Sequence, residues 1–154
     1  MAKIDWEKNL VRKPRYEVSA GDIKGRQYPT MTLMSNDLVP GSNTYIEIGW
    51  VWDMPDPNPH IHEHSHGKGC NEIVLNIGSD PNNPEDLGAE IEFTVGGQPL
   101  VFDTTSGIFI PAGVKHGPVT WKKLTRPHLQ MAMVLGAGTM AEADPGGHVK
   151  ERGG

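Results

Sequence analysis

His60-Ile61-His62-Glu63-His64-Ser65-His66 carries four of the chain's seven histidines, one at every second position. Side chains of an extended segment repeat every two residues, so all four imidazoles would share one face if the segment is a strand. Four imidazoles on one face crowd one another and repel on protonation unless something coordinates them. A transition metal is the economical explanation, since neutral imidazole is its commonest ligand. The run is internal, lies between Pro59 and Glu72 and is interrupted by Glu63 and Ser65, which does not suit a tag or a solvated basic loop. His62 to His66 also fits the HExxH pattern, but that pattern works only on a helix, where histidines four apart share a face. Pro55, Pro57 and Pro59 upstream and Gly67 and Gly69 downstream leave no room for one.

On either side of this segment the chain reads as short strands. Thr30–Met34, Thr44–Trp52, Glu72–Ile77, Glu90–Val95, Leu100–Phe102, Gly107–Ile110, Val119–Trp121 and His128–Leu135 are rich in β-branched or aromatic residues and bounded by turn formers. Alternation is visible in Tyr45-Ile46-Glu47-Ile48 and Glu90-Ile91-Glu92-Phe93, and Gly96-Gly97 makes a hairpin turn between two runs. No long stretch sustains a helical period, so the expectation is an all-β sandwich or barrel. The first fifteen or so residues read as an arm or short helix, and the glycine-containing tail from Thr139 onward as frayed.

A length of 154 residues suits one domain, residues 1–154, with its barrel core at about 30–136. With 19 Gly and 13 Pro scattered between apolar runs, the composition describes many turns rather than a low-complexity segment. A net charge of −5 argues against a nucleic-acid or anionic-membrane binder. No apolar run reaches the length of a membrane span and Met1-Ala2-Lys3-Ile4-Asp5-Trp6 lacks a signal peptide's apolar stretch, so the expected compartment is the cytoplasm. One cysteine, Cys70, excludes an intrachain disulfide and reads as a free, partly buried thiol.

His64-x-His66, then Glu72, then Gly107-Ile108-Phe109-Ile110-Pro111-Ala112-Gly113-Val114-Lys115-His116, resembles the two signature motifs of the cupin superfamily. That resemblance implies a double-stranded β-helix, or jelly-roll barrel, with a three-histidine, one-glutamate metal site. Carried over by position, the ligands would be His64, His66, Glu72 and His116. Ile77-Gly78-Ser79-Asp80-Pro81, with Asp86 to Phe93, looks like a cupin subgroup of single and tandem domains without a settled reaction. The likeness runs from about Asp53 to Leu135. The chain departs from the family in three ways. Five residues separate His66 from Glu72, where three or four are usual, Thr105-Ser106 replaces the usual Gly-Asp, and the asparagine often found after the second motif's histidine is absent. A second register, with His60 and His62 as the ligand pair, stays open.

Around such a site, His62 is expected as a neighbour or extra ligand, and His128 and Gln130 as substrate partners. Met131 and Met133 are expected in the core. Trp50 and Trp52 share a face opposite Tyr45 and would pack in the core or a homodimer, with Trp52 able to wall the pocket. Three imidazoles and a carboxylate leave up to two positions of an octahedral ion open, which suits catalysis, and the mixed N/O set accepts Fe, Mn, Ni, Co or Zn. The function classes that follow are an O2-dependent dioxygenase or a metal-assisted isomerase or lyase, acting on a small oxygen-bearing or acidic molecule. The rival is a non-catalytic ligand-binding or sensing module.

Overall fold

The structure, a computed structural model, describes residues 2, 4–17, 22–61, 63–67, 69–139 and 142. Among the described residues, ten strands follow a short 3-10 turn at Glu7–Asn9: β1 Arg15–Glu17, β2 Lys24–Arg26, β3 Thr30–Met34, β4 Thr44–Asp56, β5 Asn71–Gly78, β6 Asp86–Val95, β7 Gln98–Thr104, β8 Ser106–Ile110, β9 His116–Leu124 and β10 His128–Leu135. The eight expected strands are all present. β1 and β2 were not read from the sequence, because three residues cannot show a period. The tail from 140 lies outside the described residues apart from Glu142.

The strands form two antiparallel sheets. The larger runs β1-β3-β4-β10-β5-β8, with β2 also on β4; the smaller runs β7-β6-β9. The histidine segment extends the smaller sheet, because His60 bridges Val119 and His64 bridges His116 along the free edge of β9. Four residue steps there lie opposite three, and the extra residue is accommodated where Ile61 takes a left-handed φ of 61°. The hairpin between β6 and β7 turns at Gly96 and Gly97, both at positive φ (58° and 80°), a conformation open to glycine at no steric cost.

Alternation decides what lies between the sheets. On β4, Tyr45, Glu47, Gly49 and Val51 are buried while Trp50 and Trp52 are exposed. The apolar core joins Val51 and Val74 of the large sheet to Leu87, Ile91, Phe93, Val119 and Trp121 of the small one. Burying each such large side chain stabilises the fold by roughly 1.5–3 kcal/mol. The same inward face also carries Arg26, Glu47, Glu72, Asn76, His116, His128 and Gln130, all buried. Buried polar groups of this number are costly unless partnered or used.

Candidate metal centre

Four side chains from three parts of the chain converge at one end of the barrel. One nitrogen from each of His64, His66 and His116 and a carboxylate oxygen of Glu72 all lie within 4.8 Å of one another. His64 is placed by its backbone bridge to β9, His66 follows as the chain leaves that edge, Glu72 is the second residue of β5 and His116 opens β9. A turn closed by the hydrogen bond from Cys70 N–H to the Gly67 carbonyl, 3.1 Å, brings the chain from His66 to Glu72. Across it, His66 Nε2 sits 2.8 Å from Glu72 Oε2. The longer spacing between histidine and glutamate is absorbed there.

His116 shows what the group is suited to hold. Its Nδ1–H donates to the Val114 carbonyl at 2.9 Å, which leaves Nε2 as the unprotonated nitrogen of a neutral ring. That Nε2 is buried, makes no hydrogen bond, and lies 2.7 Å from Glu72 Oε2. A lone pair facing a carboxylate oxygen at that distance is repulsive unless the two share a proton or a metal ion. Two ligands bound at about 2.1 Å to one ion are at most about 4.2 Å apart, so small side-chain rotations would bring all four atoms onto a single ion. The donor set therefore fits a divalent transition metal. Burial alone would push the Glu72 carboxyl up, but when protonated the His116 and His66 rings at its oxygen outweigh that and hold it at about 2.

The other candidate residues separate clearly. His60 bridges Val119 and is not part of the converging group, and His62 lies outside the described residues. His128 and Gln130 are both buried on the inward face of β10. Trp121 Nε1–H donates to His128 Nε2 at 3.1 Å, and burial pushes the His128 pKa down to about 4. Trp52 does not wall the interior: it is 51% exposed, because inward parity on β4 belongs to Val51. Met131 and Met133 likewise are not core residues; with His128 and Gln130 facing inward, alternation turns both outward, where they are half-buried. Cys70 is buried beside Tyr45, Val134 and Ala137. Lys115 is an exposed turn residue 3.7 Å from Glu63.

Several inward polar residues escaped the sequence reading. Thr30 Oγ1 donates to Glu47 Oε1 at 2.6 Å. Tyr45 OH lies 3.1 Å from Thr32 Oγ1 and donates to Glu17 Oε2 at 3.2 Å. Burial holds the Tyr45 phenol far above its ordinary range, so it is a neutral donor. Arg26 Nη2 donates to Gln130 Oε1 at 3.4 Å, and Gln130 Nε2 to Asn76 Oδ1 at 3.3 Å. Glu47 could have been found, as a charged residue at an inward position of an alternating strand. Arg26 could not, since nothing in the sequence brings β2 to β4.

No family model matches the chain, and no curated protein matches it. Solved structures do. A protein of Thermotoga maritima described as a predicted oxalate decarboxylase is 13% identical, with 80% of this chain and 91% of that one covered and a TM-score of 0.51. An RmlC-like cupin of Shewanella frigidimarina is 14% identical, over 81% of this chain and 95% of that one, at a TM-score of 0.47. At such identities the likeness is one of fold. Two antiparallel sheets close over an interior with three histidines and a glutamate converging at one end, and the chain has the fold of the cupin superfamily.

Proposed function

We propose that the chain is a mononuclear metal-dependent enzyme acting on a small oxygen-bearing organic acid, with His64, His66, Glu72 and His116 as the metal ligands. The observation that carries this reading is His116 Nε2, a buried nitrogen without a hydrogen bond, 2.7 Å from the Glu72 carboxylate. A divalent ion held there would polarise a substrate carbonyl or hydroxyl as a Lewis acid. The chain supplies the rest. Register places the Glu47 Cα two strands and two residues from that of Glu72, about 12 Å away, on the same inward face. Its carboxylate is positioned by the Thr30 hydroxyl and is suited to accept and return a proton from substrate held between the two.

The presence of this second interior carboxylate favours an isomerase or lyase over a dioxygenase, which needs the open metal positions but no base. The metal is one of Fe, Mn, Ni, Co or Zn. Metal analysis of the purified protein, then a screen of hydroxy and oxo acids with and without O2, tests the reading. Turnover that needs the metal but not O2 is expected. Strict dependence on O2 would move the protein to the dioxygenase class, and saturable binding without turnover to a sensing module.

The same reading includes a homodimer. The outer face of the large sheet is apolar: Trp50, Trp52 and Phe109 are exposed, and Ile77, Leu129 and Met131 are half-buried beside them. An exposed apolar face of this kind marks an interaction surface. Among the described residues no helix is long and apolar enough to cross a membrane.

A further inference from the structure

The large sheet turns polar residues inward and apolar ones outward, and strand register shows how far the apolar face extends. Tyr16, Met31, Ile48, Met131, Leu75 and Gly107 stand side by side across β1, β3, β4, β10, β5 and β8. The rows on either side of it across β4, β10 and β5, one running on to Phe109 and the other starting at Trp50, are apolar throughout. A sheet that meets water on one face ordinarily alternates the other way, apolar in and polar out. Six strands put the ends of the first row roughly 24 Å apart, and three rows cover about 13 Å. That footprint of roughly 300 Å², even doubled for the relief of the side chains, falls short of the roughly 800 Å² per partner in a stable interface. Two such faces pressed together would make a weak dimer.

A further exposed apolar surface adjoins this one. Residues 4–10 are all exposed, and Ile4, Trp6 and Leu10 among them are each more than half exposed. The hydrogen bonds that shape the segment are local: Asn9 N–H donates to the Trp6 carbonyl and Leu10 N–H to the Glu7 carbonyl, both at 3.0 Å. The segment leads directly into β1, whose Tyr16 begins the apolar row, so it leaves from the rim of that face. Residues 4–14 reach at most about 36 Å when extended, more than the width of the face. Charge complements shape. Residues 1–14 hold four basic and two acidic side chains, and the whole chain is at −5, so the remainder carries −7. A basic arm is attracted to an acidic body.

We propose that two copies of the chain exchange arms about a two-fold axis, residues 4–14 of each lying on the outer face of the other's large sheet with Ile4, Trp6 and Leu10 against its apolar rows. This rests on the reading of the chain as a homodimer and names the segment that completes the interface. Within one chain the three arm residues stay in solvent; a second copy gives them and the sheet face a common cover.

Sedimentation equilibrium of the full chain, of Trp52→Lys and of Trp6→Ser with Leu10→Ser tests the exchange. Because Trp6 and Leu10 are exposed in the single chain, the arm variant should keep its fold, its metal content and its melting temperature at low concentration. It is expected to weaken the dimer at least tenfold. In dimers reassembled from one methyl-labelled and one unlabelled chain, the Trp6 ring of the unlabelled chain should give nuclear Overhauser effects to the Met131 and Met133 methyls of the labelled one. A dimer that Trp52→Lys dissociates and the arm variant leaves intact overturns the exchange and keeps the homodimer. Effects from Trp6 confined to methyls of its own chain overturn the exchange too, since the arm then covers its own sheet. A wild-type chain that stays monomeric overturns the homodimer reading and the exchange with it.

Discussion

His64 and His116 exchange two backbone hydrogen bonds, 2.9 and 2.8 Å, and their rings stand 4.3 Å apart. The backbone pairing does what a disulfide or a salt bridge would do elsewhere: it sets the relative position of two side chains 52 residues apart in sequence, 116 − 64. The imidazoles are thus held in place before any ion arrives, and a ligand set organised beforehand binds without a large ordering cost.

The purified protein should carry about one transition-metal ion per chain. His64→Ala with His116→Ala should reduce that to background in elemental analysis, while His60→Ala keeps it. Unchanged metal in the double variant would remove the assignment. A coordination sphere containing His60 and His62 in place of His66 would move the site along the same edge.

Metal should stabilise the fold. An ion present at a hundred times its dissociation constant adds about 2.7 kcal/mol to the folded state, worth several degrees in melting temperature for a chain of this size. Melting curves before and after chelation, with metal loss confirmed, check this, and coincident curves would count against it.

The acid limb of metal binding should belong to the imidazoles. Glu72 has its folded pKa depressed to about 2 from 4.5, so its contribution to stability is present above pH about 4.5 and is lost only as pH falls through 2. It remains a carboxylate while protons compete for the histidine nitrogens. Glu72→Gln should therefore weaken metal across the whole pH range in which protons compete for the histidines. Metal affinity unchanged in the variant would remove Glu72 from the ligand set.

His128 gives a separate signal in stability. Its folded pKa is about 4 against an ordinary 6.5, so the unfolded chain takes up this proton first as pH falls. Stability is full above pH about 6.5 and declines toward pH 4, by about 2 kcal/mol between pH 7 and 5 for this group. In urea unfolding, His128→Gln should reduce the pH 7-to-5 difference by that amount. An equal difference in wild type and variant would show that the ring is protonated without penalty.

The apolar outer face should dimerise. Trp52→Lys introduces a charge into this face, two residues along β4 from Trp50, and should shift sedimentation from dimer to monomer with the melting temperature little changed at low concentration. A monomeric wild-type chain would remove the proposal.

Most of the architecture was legible in the sequence because strands declare themselves locally. Alternation in Tyr45 to Ile48 and Glu90 to Phe93, and the paired glycines at 96 and 97, depend only on near neighbours in the chain. Histidines two apart, and a glutamate soon after them, likewise pointed to a metal without any knowledge of the fold. The same local logic misled where the face of a strand had to be known. Hydrophobicity puts Met131 and Met133 in the core, yet parity with Gln130 turns them outward, and parity with Val51 turns Trp52 away from the pocket while leaving it on the outer face.

The sequence by itself determined the strand-rich architecture and the residue types of a metal site. Tertiary structure alone decided which histidines meet. His60, two residues from His62 and four from His64, is kept out of the group by its bridge to Val119, while the bulge at Ile61 and the turn after His66 bring His64 and His66 to His116 and Glu72. It alone also decided that Arg26, on a three-residue strand without any period, would face Gln130 across 104 residues of chain. Pairing between strands is a long-range event: its register is selected by the packing of whole faces, and no local pattern encodes which distant edge a short strand will join.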